Sequence, residues 1–101
     1  KWLGRRFIEN QIGIVKMWFV YIIKCIDGSL YTGSTNDLEG RFEKHKNGKG
    51  AKYTRSHIPE KIVFFEKYDN KIAAQRRERE IKKFTHEEKL NFIKNKKVVI
   101  L

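Results

Sequence analysis

The chain has one cysteine, one proline and few acidic residues for its length, and each shortage removes a class of explanation. A lone Cys25 cannot close an internal disulfide. With no Cys/His cluster around it there is no zinc site to propose either, so nothing points to an oxidising compartment. Cys25 reads instead as a small buried hydrophobe. No apolar run approaches the roughly 18 to 20 residues of a membrane span, and a cytoplasmic protein without a membrane partner is expected. The 12 acidic residues face 23 Lys and Arg, which leaves a formal charge of +11 and a pI near 9.9. A polyanion is the expected partner. Basic residues are spread over loops and helices with aromatics between them, a pattern that favours nucleic acid over a membrane surface. The plainer alternative is a protein kept soluble by lysine.

What is present fits a single domain. The chain of 101 residues can build one core, and a hydrophobic fraction of 40% argues against disorder despite 35% charged residues. Residues 1–16 carry mixed signals ahead of Met17 and are read as an N-terminal extension or a cloning remnant, with residues 17–101 as the functional domain. Four basic residues and one acidic residue fall in that segment, so the remainder still carries +8. Trp2, Phe7, Ile8, Ile12, Ile14 and Val15 suit a short docking helix.

The densest β-forming run is Phe19-Val-Tyr-Ile-Ile-Lys-Cys-Ile-Asp-Gly-Ser-Leu-Tyr-Thr-Gly33. Alternation puts Phe19, Tyr21 and Ile23 on one face and Val20, Ile22 and Lys24 on the other. Asp27-Gly28 offers a tight turn, so the stretch reads as a hairpin that can bring Tyr21 and Tyr31 together across the ladder. Ser34 to Asp37 supply N-caps for a helix of about ten residues closed by Asn47-Gly48, on which Arg41 and His45 project together at i, i+4. Asn47 to Arg55 reads as a flexible basic loop. Its glycines expose backbone N–H groups, Lys49, Lys52 and Arg55 flank them, and Tyr53 is available to stack or pack. A third strand follows at Lys61 to Tyr68, with Ile62, Phe64 and Glu66 facing one way and Val63, Phe65 and Lys67 the other. Asp69-Asn70 caps a helix from Lys71 to about Phe84, Thr85 with Glu88 forms a capping box for His86 to Asn95, and Val98 to Leu101 packs down or adds an edge strand. On the Lys71 helix, Ala73, Ala74, Ile81 and Phe84 form the apolar stripe, and Glu78 and Glu80 flank its two edges. Spacing alone favours the plainer reading of both carboxylates, surface pairing with Arg76, Arg77 or Lys82.

Taken in order, Tyr21, Tyr31 with Gly33, Arg41, His45 and Glu78 resemble the GIY-YIG nuclease family. Its two motifs correspond here to Phe19-Val20-Tyr21 and Tyr31-Thr32-Gly33. Asn36 to Arg41, His45 to Arg55 and Arg77 to Lys83 are similar to stretches of its small stand-alone bacterial branch. The likeness runs from about Trp18 to Phe84. It departs from the pattern at Phe19, at Thr32, and at Gly40, where the branch usually has a bulkier residue. The resemblance implies an α+β fold, a small three-stranded antiparallel sheet flanked by about three helices, that cuts phosphodiester bonds with one divalent metal, Mg2+ or Mn2+. It implies Glu78 as the metal ligand and Arg41 as the anchor of the scissile phosphate. Tyr21 would orient or deprotonate the attacking water, Tyr31 and His45 would assist, and Gly33 would let the backbone approach closely. One carboxylate suits a magnesium-like ion that keeps most of its waters. A phenol with an ordinary pKa of about 10 is a poor base, so positive charge from the metal, Arg41 and nearby lysines is expected to activate Tyr21.

The expected activity is therefore metal-dependent hydrolysis of DNA, with RNA as an alternative substrate, by a monomer or weak dimer with no other protein partner evident. A chain without a second domain has little surface for reading a long site, which favours structure-selective or loosely specific cleavage. Two other readings compete: a nucleic-acid-binding module that keeps the fold with little turnover, and an adaptor that sets its basic face against an acidic protein.

Overall fold

The computed structural model describes residues 7–10 and 13–96, with side chains from Met17 onward. Strands β1 (Phe7–Asn10) and β2 (Gly13–Lys16) pair antiparallel in a two-stranded sheet of their own. The short helix expected of this segment is corrected to a hairpin, in keeping with its glycine and with Ile14-Val15, whose branched side chains favour extended backbone. Trp2 and Ile12 of the same expectation lie outside the described residues, as does the tail Val98 to Leu101.

The main sheet is three-stranded and antiparallel, and its central strand is β3 (Trp18–Cys25), between β4 (Leu30–Thr35) and β5 (Pro59–Tyr68). Almost every residue of β3 is apolar, which suits a strand covered on both faces, and Phe19 to Ile23 are all buried. Cys25 is buried beside them as expected. The β3–β4 connection is the four-residue stretch Ile26-Asp27-Gly28-Ser29, with Gly28 at φ 88°, and Cys25 N–H donates to the Ser29 carbonyl at 2.9 Å.

Register decides which side chains meet. Tyr21 lies opposite Gly33 and Ile23 opposite Tyr31, so the two tyrosines are diagonal neighbours with ring centroids 6.3 Å apart. On the other side, Ile22 pairs with Phe64 but Ile23 pairs with Ile62, which leaves Val63 as an extra residue in a β-bulge. The simple alternation expected for β5 is corrected accordingly. Ile62 joins the face of Tyr21, whereas Phe64 and Val63 pack on the opposite one.

Helices cover both faces. Helix α1 (Leu38–Lys46) seals the layer of Phe19, Tyr21, Ile23, Cys25 and Ile62 with Leu38 and Phe42. Asp37 caps it by accepting from Gly40 N–H at 3.1 Å. A side chain at Gly40 would collide with that carboxylate, so the glycine's helix penalty of about 1 kcal/mol is offset by a cap of similar worth. The basic segment expected as a loop contains a short helix, α2 (Lys52–Ser56), anchored by buried Thr54. On the opposite face, α3 (Lys71–Lys82) buries Ala74 and Ile81 against Val20, Ile22 and Phe64, with Phe84 of the following turn and Phe92 and Ile93 of α4 (His86–Lys96) packed against them half-buried. Asn70 caps α3, and Thr85 with Glu88 forms the reciprocal capping box of α4 at 2.8 and 3.1 Å. Arg77 ties three elements together: it bonds Glu66 of β5 and Glu80 at 3.0 Å each, and its guanidinium lies 5.3 Å from the Phe92 ring. The result is the expected α+β class, with four helices among the described residues where about three were expected. No helix among the described residues is long and apolar enough to cross a membrane.

Candidate functional site

Tyr21 stands on the central strand, and its ring passes over Gly33 of the edge strand β4. A Cβ at Gly33 would lie 2.5 Å from the Tyr21 hydroxyl. The space left by the missing side chain at Gly33 is filled by the phenol. Its oxygen ends 2.9 Å from Nε2 of His45, a fully buried residue of α1. His45 Nδ1 lies 2.7 Å from Thr54 Oγ1, and a side chain at Gly50 would collide with the imidazole. Arg41, one turn earlier on α1, donates from Nη2 to the Gly50 carbonyl at 2.8 Å. The i, i+4 pair thus works as one unit against residues 50–54. Tyr31 completes the wall, its ring 4.9 Å from that of His45.

Glu78 comes from the other side of the sheet. Ser34, next to Gly33 in β4, donates to its Oε1 at 2.5 Å, and Lys82 Nζ sits 2.7 Å from Oε2. The carboxylate is near enough to Tyr21 for its charge to raise the phenol's pKa. Carboxylate and phenol are electrostatic neighbours because β4 is an edge strand with no side chain at Gly33. Glu80, its rival on the sequence, is half exposed and pairs with Arg77 instead. Among the described residues no three His, Cys, Asp or Glu side chains cluster as a metal nest. Glu78 is a single carboxylate whose second oxygen pairs with a half-exposed lysine ammonium. That donor set fits a hydrated divalent ion better than a dehydrated one.

The electrostatics set the resting state of the site. Burial raises the Tyr21 pKa above its ordinary 10, the neighbouring Tyr31 raises it further, and Arg41 offsets only part of this. Tyr21 is a neutral phenol at rest, and Arg41 by itself does not activate it. Burial, reinforced by the Arg41 charge, lowers the His45 pKa to about 4, so the imidazole is neutral as well.

The basic residues expected to bind nucleic acid lie outside this buried centre. Lys49, Lys52 and Arg55 are exposed along and before α2. Tyr53 of α2 stacks on Tyr31 with centroids 5.9 Å apart and on His57 at 4.1 Å, extending an aromatic row from the site toward the β3–β4 loop. Beside Arg41 an open recess of about 270 Å³ is lined by Thr35, Asn36, Asp37, Gly40, Arg41 and Lys44. Sequence reasoning missed Ser34, Gly50 and Thr54. Their only signal is position: Ser34 adjoins the second motif, and Gly50 and Thr54 fall inside the stretch already similar to the bacterial branch.

A small α+β domain with two hairpin tyrosines, a helix presenting arginine and histidine, and a later helix bringing one glutamate to the edge strand defines a recognisable class. The family model described as the GIY-YIG catalytic domain matches residues 17–91, and the chain belongs to that family. It is 55% identical over 82 residues to a UPF0213 protein of Clostridium perfringens, covering 81% of this chain and 88% of that one. A UPF0213 protein of Staphylococcus aureus is 51% identical over 78 residues, covering 77% and 95%. Among solved structures, the solution NMR structure of a UPF0213 protein from Bacillus halodurans is similar at 41% identity and a TM-score of 0.52, covering 79% of this chain and 85% of that one.

Proposed function

We propose that residues 17–101 form a metal-dependent endonuclease domain that hydrolyses phosphodiester bonds in DNA, with residues 1–16 as an extension. The observation that carries this reading is the convergence of Tyr21, His45 and Arg41 on one side of β4 with Glu78 from the other. Arg41 borders the open recess and carries a permanent charge, so it is the group to bind a phosphate and to hold charge as it develops on the nonbridging oxygens. Tyr21, neutral at rest, orients the attacking water by accepting its hydrogen bond, while His45 and Tyr31 hold the phenol in place. Glu78, after Lys82 swings away, would hold Mg2+ or Mn2+. Such an ion supplies Lewis-acid stabilisation of the phosphoryl oxygens and leaving group. Lys49, Lys52, Arg55 and Tyr53 would guide the polyanion without reading sequence, Gly33 would act through Tyr21, and substrate choice would be loose. The net charge supports nucleic acid as the partner of a cytoplasmic monomer or weak dimer.

The test is a cleavage panel of single-stranded, duplex, branched and RNA substrates with and without divalent metal, run beside Glu78→Ala. Metal-dependent cutting by the wild type and its loss in the variant are expected. No cutting of any substrate, or full activity in Glu78→Ala, would overturn the reading. A binding module with little turnover is the second reading, favoured by the neutral Tyr21 and by the Lys82 contact on Glu78. It requires steeply salt-dependent binding with no metal-stimulated cleavage.

A further inference from the structure

Thr54 is a buried hydroxyl with a single proton and two partners, of which the Ala51 carbonyl at 3.1 Å can only accept. With that proton on the carbonyl, the 2.7 Å contact with His45 Nδ1 runs the other way, with the ring N–H as donor. A neutral imidazole protonated on Nδ1 carries its lone pair on Nε2, the atom 2.9 Å from the Tyr21 hydroxyl. The phenol proton is therefore committed to His45.

We infer that Thr54 is the positioning residue of this site: it locks His45 in the Nδ1–H tautomer and thereby turns the Tyr21 hydroxyl so that its lone pairs face Arg41 and an incoming water. Only the role of the water rests on the nuclease reading; the chain from Ala51 through Thr54 and His45 to Tyr21 stands on its hydrogen bonds. The opposite tautomer would make Nε2 a donor to Tyr21 and turn the phenol proton toward a guanidinium that has only protons to offer. The surroundings hold the ring for this task. Gly50 leaves room for the imidazole, Arg41 grips the Gly50 carbonyl at 2.8 Å, and the first turn of α2 closes on Ala51 through Arg55 N–H at 3.2 Å. Each link lies on the segment that carries Thr54.

The test is direct observation of the tautomer by long-range proton–nitrogen NMR correlations on nitrogen-15-labelled protein at neutral pH. Wild type and Thr54→Ser are expected to show the proton of His45 on Nδ1. Thr54→Val, which keeps the volume and removes the acceptor, is expected to show a mixture or the Nε2–H form. An Nε2–H tautomer in the wild type, or an unchanged Nδ1–H form in folded Thr54→Val, would overturn the inference. If Thr54→Val does not fold, Thr54→Ala in the same measurement decides it by the same criterion. Where the wild type cleaves DNA, Thr54→Val should lower kcat about 10- to 100-fold with little change in KM, and Thr54→Ser should restore it. A wild type that shows the Nδ1–H form but cuts nothing supports the positioning role and defeats the nuclease reading, so the two failures are distinguishable.

Discussion

Acidification from about pH 7 to about pH 4.5 is expected to remove roughly 2 to 3 kcal/mol of folding stability through His45 alone. The imidazole is completely buried between Tyr21, Tyr31, Gly50 and Thr54, and its pKa falls from an ordinary 6.5 to about 4, first through burial and then through the Arg41 charge. Its folded value lies below its unfolded value. As the pH drops through 6.5 the unfolded chain takes up a proton that the folded chain refuses, and stability declines until the folded ring also titrates near pH 4. Between those limits the slope approaches about 1.4 kcal/mol per pH unit. For a domain with a total stability on the order of 5 to 15 kcal/mol, that loss is large. Urea denaturation followed by tryptophan fluorescence at several pH values measures it, with His45→Gln as the comparison. Glu66 is also held below its usual range, so the lower end of the curve contains a carboxylate contribution common to both proteins. The difference between wild type and His45→Gln isolates the histidine. Parallel curves for the two proteins, or a wild-type stability that stays flat between pH 6.5 and 4.5, would refute the reasoning.

Three further perturbations address the surroundings of the site. Gly33→Ala places a methyl group against the Tyr21 hydroxyl and should cost about 1 to 3 kcal/mol in urea melts while displacing the phenol from His45; an unchanged melt would mean the ring slides aside freely. Thr32 is 2% exposed and its hydroxyl has no hydrogen-bond partner among the described residues, so Thr32→Val should raise stability by about 1 kcal/mol, and a lower melting midpoint would contradict that account. Lys82→Ala removes the ammonium from Glu78 and should tighten Mn2+ binding by roughly two- to fivefold in titration calorimetry, as expected for losing an exposed ion pair of about 0.5 to 1 kcal/mol. Equal or weaker binding would show that Lys82 does not compete for the carboxylate.

Much of this molecule follows from residues close together in the chain, because capping, turn formation and polarity period act over a few positions. Asp37, Asn70 and the Thr85–Glu88 box start their helices where the sequence alone places them, and Asp27-Gly28 turns the central hairpin. The spacing of Tyr21, Tyr31, Arg41, His45 and Glu78 was likewise legible, since each stands at a distinctive place on its own element. Relations that need a partner strand or a surrounding medium were not. The bulge at Val63 exists only in the register of β5 against β3, so no alternation within β5 could report the face taken by Ile62. Short α2 has too few turns to stand on propensity and is held by Thr54 in the interior. The neutral state of Tyr21 is a property of its burial, which outweighs the arginine that sequence reasoning placed beside it. The sequence by itself determined the elements and the order of the chemical groups along them. Only the tertiary structure decided the neutral state of Tyr21 and His45, the hydrogen bond between them and the approach of the Glu78 charge to Tyr21, because those depend on distance and dielectric between residues far apart in the chain.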